Sequence, residues 1–157
     1  MHYERHRPKV VRQSTPEHCW AAALESWLDV TPGHAKLTQD KLITLYGSPP
    51  KGGLDPVKSF DVVAQTVGMS YQFVKLAEFS ADFVLDKLRK RGGLYIVFKV
   101  QSGWSHAVIL YGVHVPNGDE PSYKVMDPAP LTAGLKSWHK VDFFPVDSWL
   151  LIAWPSY

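Results

Sequence analysis

A single cysteine, Cys19, stands in Gln13-Ser-Thr-Pro-Glu-His-Cys19-Trp20, just before an apolar helical pattern. A lone thiol makes no disulfide within its chain and founds no cysteine-rich metal site. It is either a small core residue or a nucleophile. A helix start favours the thiolate, because unpaired amide N–H groups and the positive end of the dipole face it. A thiolate attacks acyl carbons and needs an imidazole beside it as base and acid. Of the seven histidines, His106 suits that role. It opens an apolar strand, Ser105-His106-Ala107-Val108-Ile109-Leu110, between two small residues, so its ring can face a cleft from a rigid rim. Its second nitrogen needs an anchor. Asp127, followed by Pro128, ends the next strand. If the two strands pair outward from the turn at Pro116-Asn-Gly-Asp119, His106 and Asp127 meet at the open end. Gln13 can place a side-chain N–H beside the thiol, binding an oxyanion together with the Cys19 amide. Trp20 and Trp104 flank the nucleophile and the base and would wall the cleft.

The elements that must hold these groups divide the chain near residue 92. The first half reads helical. Pro16-Glu17 is a helix start, and Ala23, Leu24, Trp27 and Leu28 give the helix from Cys19 an apolar face. Further helices are expected over 38–46, capped by Thr38, over 57–67 after Asp55-Pro56, and over 81–90, capped by Ser80. A short strand is expected over 71–74. The second half reads as β, with strands over 94–100, 105–115, 122–126, 140–144 and 149–154. Helices in front and an antiparallel sheet behind make an α+β domain. Residues 1–157 form one domain on this reading, with 1–12 as an N-terminal tail. The segments 29–37, 47–55 and 101–105 would border the cleft.

Gln13, Cys19-Trp20, Ser105-His106-Ala107 and Asp127-Pro128, in that order, resemble the papain-like cysteine peptidases. The similarity is greatest to compact bacterial forms, the double-glycine leader peptidases and the type III effector proteases. It extends from about Gln13 to the end of the chain. The resemblance implies a papain-like fold and a thiol hydrolase. Cys19 would be the nucleophile, His106 the base, Asp127 its orienter and Gln13 the oxyanion donor. The context Glu17-His18-Cys19-Trp20 departs from the glycine-rich one of plant and lysosomal papains, so substrate preference does not carry over. A delivered bacterial effector or toxin, with an immunity or chaperone protein as partner, is a further expectation from the effector forms.

Plainer readings stand beside these. Cys19 could be core, His106 a satisfied rim histidine, Asp127 a turn starter and Gln13 a surface residue. His18, next to the thiol, points about 100° away from it on a helix and would face solvent or the cleft rim. Gly52-Gly53 looks like a double-glycine cleavage site and reads more simply as a flexible loop. Amidases, deamidases and transglutaminase-type acyltransferases order the same groups, and a silent peptide-binding module would keep the fold.

Composition narrows the partners. The 157 residues are 45% apolar and 20% charged, enough for a core. With 17 Lys and Arg against 15 Asp and Glu, the net charge is +2, and no nucleic-acid partner is expected. No apolar run would span a bilayer, and the polar N-terminus lacks a signal-peptide core, so membrane insertion is not expected. The expected location is the cytoplasm, or export without a cleaved signal. The expected partner is a protein or peptide substrate; no cofactor and no metal is expected.

Overall fold

Strands that are apolar at successive positions need cover on both faces, and this chain supplies it. The computed structural model describes residues 1–55, 58–99, 105–139 and 149–156. Helices α1 (Cys19–Val30), α2 (Gln39–Tyr46) and α3 (Phe60–Val67) come first, with α4 (Ala81–Lys90) after strand β2 (Met69–Lys75). Strands β3 (Leu94–Lys99), β4 (Ser105–His114), β5 (Ser122–Asp127), β6 (Gly134–His139) and β7 (Trp149–Pro155) follow. They pair antiparallel in the order β2-β7-β3-β4-β5-β6.

Successive strand residues face opposite sides, so each central strand feeds two cores. On one side Tyr95, Val97, Ala107, Ile109, Leu151 and Ala153 pack with α1, α2 and α3 through Leu24, Trp27, Leu42, Phe60 and Val63. On the other, Leu94, Ile96, Val108, Leu110, Leu150 and Ile152 pack with Val84 and Leu88 of α4. The α+β architecture expected from the sequence is therefore present, with α4 set on the opposite face of the sheet from α1. The caps were legible: Thr38 Oγ1 accepts from Lys41 N at 3.2 Å, and Ser80 Oγ from Phe83 N at 3.1 Å. Asp55 Oδ1 accepts from Lys58 N at 3.2 Å, while α3 itself starts at Phe60.

Three features differ from expectation. Residues inside the expected tail form a strand, β1 (His2–Glu4), paired with β4 through Glu4↔Gly112. Backbone bonds hold it there: Arg5 N donates to Tyr111 O at 2.8 Å and Val115 N to Met1 O at 2.8 Å. A Cβ on Gly112 would stand 2.7 Å from Glu4 Cγ, so this close approach requires glycine. Second, β6 (Gly134–His139) occupies a stretch for which no strand was expected, and the strand expected over 140–144 lies outside the described residues. Third, the β4–β5 register shifts between Leu110 and Gly112, so Tyr111 is an extra residue. Inward positions move from even (Val108, Leu110) to odd (Val113) across that bulge. Among the described residues no helix is long and apolar enough to cross a membrane.

Candidate active site

Cys19 is the first residue of α1. A 3-10 turn, Pro16–His18, delivers the chain into it, with His18 N donating to Thr15 O at 3.1 Å. Pro16 suits this place because a helix start needs no N–H there. Beyond the sulfur, Ala21 to Leu24 bury completely against the sheet, which fixes the helix rigidly. Cys19 is 6% exposed, yet it lines an open cavity of about 530 Å³ rather than packing into the core alone. Its thiol lies 3.6 Å from Ser105 O, at the start of β4.

The histidine follows directly. His106 Nε2 pairs with Asp127 Oδ1 at 2.7 Å, and the Cys19 side chain is near enough to act on its ring. Because Nε2 is committed to the carboxylate, Nδ1 is the nitrogen left for sulfur. An ionised carboxylate only accepts, so the neutral ring carries its proton on Nε2 and offers the Nδ1 lone pair to the thiol. Burial opposes charge on His106, but the hydrogen bonds and charges of Asp127 and Cys19 outweigh it and raise the imidazole to about 9. Burial likewise opposes charge on Asp127. The hydrogen bond and charge of His106, then Ala129 N and Lys136, hold it down to about 2. The arrangement favours an imidazolium beside sulfur.

Further residues that sequence reasoning missed complete this face. Phe98 meets the His106 ring edge-on at 5.7 Å and Trp138 backs Phe98 at 5.7 Å, so aromatic rings limit where the imidazole can turn. Lys136 Nζ stands 3.0 Å from Asp127 Oδ2. The sequence signal for both Lys136 and Trp138 was alternation along 134–139, hidden by the exposed Leu135.

Other expected site residues fall out differently. Gln13 is drawn to the Asp127–Pro128 corner by its backbone, with Gln13 N donating to Pro128 O at 2.9 Å. Its side-chain nitrogen, however, donates to Thr15 O at 3.0 Å and Pro16 O at 3.4 Å, while its buried oxygen has no partner among the described residues. Gln13 does not line the cavity. Trp20 does, and its indole N–H donates to Gly52 O at 3.0 Å. Trp104 lies outside the described residues. Of the expected bordering segments, 47–55 contributes Gly53, Leu54 and Asp55; 29–37 contributes no lining residue, and 101–104 lies outside the described residues.

Residues 48–53 form a hydrogen-bonded turn. Ser48 N donates to Gly53 O at 2.8 Å and Gly52 N to Ser48 O at 2.8 Å, closing the turn on itself. His18 pins it from the helix start, Nε2 donating to Lys51 O at 2.8 Å, with Nδ1 2.7 Å from Ser14 Oγ. His18 thus holds a cleft wall and is no rival base. The cavity floor is Tyr95, whose hydroxyl donates to Trp20 O at 3.0 Å. Burial, with the charge of Cys19 second, raises that phenol well above its ordinary value, so it stays protonated.

Comparison with known proteins bears on the fold and the family. UfSP from C. elegans superposes with a TM-score of 0.63 at 10% identity, over 97% of this chain and 34% of that one. A structure from work on the mite allergens Blo t 1 and Der p 1 superposes with a TM-score of 0.56 at 13% identity, over 94% of this chain and 67% of that one. The chain spans about a third of the length of the first structure and about two thirds of the second. These likenesses show a papain-like fold. No curated protein sequence matches the chain. The model of the family described as papain-like cysteine protease AvrRpt2 matches residues 2–141, most of the sequence. The chain belongs to that family of papain-like cysteine proteases.

Proposed function

We propose that the chain is a cysteine peptidase that cleaves peptide bonds through a thioester on Cys19. The observation that carries this reading is the run of interactions from sulfur to the His106 ring to the Asp127 carboxylate, with Cys19 lining an open cavity. Sγ, as thiolate, adds to the carbonyl carbon of the scissile amide, and the C=O electron pair moves to oxygen. The Cys19 backbone N–H would meet that oxyanion. Gln13 can join only by releasing an N–H from Thr15 O or Pro16 O. The intermediate collapses, the C–N bond breaks, and His106 gives its Nδ1 proton to the leaving amine. Water then adds to the thioester while His106 takes its proton. The C–S bond breaks and the thiolate returns.

The cavity suits a peptide rather than a small polar amide. Its walls include Trp20, Leu54, Phe60, Tyr95 and Val97, with Glu17, Asp55, Lys58 and Lys99 among its charged groups. A panel of fluorogenic peptides, with Cys19→Ser as control, tests the activity. Cys19-dependent release of fluorophore supports a peptidase. Release of ammonia, or acyl transfer to an added amine without hydrolysis, would move the chain to the amidase or transglutaminase-type class. The same reading extends to a bacterial effector or toxin acting on a protein of another cell, supported by the family named above. An immunity or chaperone protein binding over the cavity would accompany that role, and co-purification from the native source tests it.

A further inference from the structure

The Asp127 carboxylate has two oxygens and two cationic neighbours. Oδ1 accepts from His106 Nε2 at 2.7 Å and from Ala129 N at 3.0 Å. Oδ2 accepts from Lys136 Nζ at 3.0 Å, and the same Nζ lies 3.0 Å from Thr132 Oγ1. The ammonium is therefore held between a hydroxyl and a carboxylate. Its side chain is 29% exposed and that of Asp127 8%.

The sheet explains how the lysine arrives. Asp127 stands opposite Gly134 on β6, and Lys136 stands opposite Val125. Lys136 is thus the diagonal cross-strand neighbour of Asp127, within reach of a long side chain. Gly134, directly opposite the carboxylate, has no side chain to block that approach. A second cation on a catalytic carboxylate does two things. It stops the carboxylate turning about its terminal bond, so Oδ1 stays on the imidazole. It also draws off part of the negative field that would otherwise stabilise the imidazolium.

We infer that Lys136 is a positioning residue of the active site, locking the Asp127 carboxylate through Oδ2 and limiting how tightly His106 holds its proton. It touches neither sulfur nor substrate and acts only through Asp127. Among the described residues, Cys19 from α1 is the other titratable group acting on His106, while Glu17 and Lys99 line the cavity. The Arg12 guanidinium donates to Pro130 O. Among the described residues none of these hydrogen-bonds to or ion-pairs with Oδ2, and Lys136 is the cation on that oxygen. The inference rests on the peptidase reading of the same site.

Alkylation of the single thiol by iodoacetate separates the two. As an anion, iodoacetate reacts fastest with a thiolate beside an imidazolium, so its rate rises as sulfur ionises and falls as His106 loses its proton. Wild type should show a falling limb near pH 9, set by His106. In Lys136→Met that limb should move up by about one pH unit, because a like charge has been removed from the far side of Asp127. Lys136→Arg, which can still donate to Oδ2, should return it to the wild-type position. Thermal denaturation of both variants should stay close to wild type, as the lysine is partly exposed. A wild type that reacts no faster than a free thiol removes the peptidase reading and this inference together. A fast wild type with the same limb in Lys136→Met removes the inference alone. So does a limb that moves but is not restored by arginine.

Discussion

His106 Nε2 and Asp127 Oδ1 stand 2.7 Å apart although they lie 21 positions apart in the sequence. The hairpin that joins them turns at the far end of β4 and β5, so their contact is a product of pairing along the strands. Asp127 fixes the ring through one nitrogen and thereby selects the other for sulfur. Against burial, that bond, together with the charge of Cys19, raises the imidazole.

Replacing Cys19 by serine should abolish turnover. A hydroxyl is far less acidic than a thiol and forms no ion pair with His106. The side chains are close in size, so stability should change by no more than about 1 kcal/mol. Peptide hydrolysis and a melting curve check both halves. Retained turnover would mean that another group is the nucleophile.

Asp127→Ala should weaken catalysis less than His106→Ala. The carboxylate orients and stabilises, whereas the imidazole moves the protons. Steady-state kinetics on one peptide compare them. Equal losses, together with a lowered melting temperature in Asp127→Ala, would show that the bond from Ala129 N to Oδ1 is also needed to hold the corner.

Stability should depend on pH in a defined sense. The stabilising contribution of His106 is whole below its unfolded value of 6.5 and is lost as pH rises through about 9. That of Asp127 is whole above 3.8 and is lost as pH falls through about 2. Melting temperature should therefore decline from neutrality toward pH 9 more steeply in wild type than in His106→Gln. Turnover should fall over the same alkaline step, as the leaving amine loses its proton donor. Parallel melting profiles for the two proteins would show that the charged pair does not form.

Gly52→Ala should loosen the cleft wall. Gly52 has φ of +76°, and a Cβ there would stand 2.8 Å from both His18 Nε2 and Ile43 Cγ2. The left-handed backbone and the crowding together should cost about 1–3 kcal/mol. The kinetic loss should appear in KM more than kcat, because the turn shapes the cavity without touching the reacting atoms. An unchanged KM would mean that 48–53 plays no part in binding.

Gln13→Ala separates two roles for one amide. Loss of an oxyanion donor lowers kcat by roughly a hundred- to a thousandfold with little change in KM. Loss of a strut in the turn before α1 lowers the melting temperature instead. The observed bonds to Thr15 O and Pro16 O make the strut the resting role, so both effects are expected if the amide turns during catalysis. A stability change alone would remove Gln13 from the oxyanion site.

Where local signals were strong, the sequence reading placed residues well. Thr38 and Ser80 cap helices by their own side chains, and proline and acid before Cys19 mark a helix start. The hairpin turn at 116–119 brought His106 and Asp127 together. Pairwise backbone recognition leaves no such trace. β1 is three polar-leaning residues held by main-chain bonds to β4, and its one demand on side chains is the glycine at 112. β6 is an edge strand whose inward residues are Lys136 and Trp138, and a lysine does not read as a core position. The bulge at Tyr111 inverts the inward pattern within one apolar run, where alternation cannot be seen. An amphipathic helix such as α4 shows which of its own faces is buried but not which side of a sheet receives it.

The central claim is that His106 makes the Cys19 sulfur a nucleophile. Cys19 is the single cysteine, so iodoacetamide reports on it alone. At neutral pH wild type should be alkylated at least about tenfold faster than His106→Ala, since the thiolate loses its counter-ion in the variant. Equal, slow alkylation of both proteins would contradict the account.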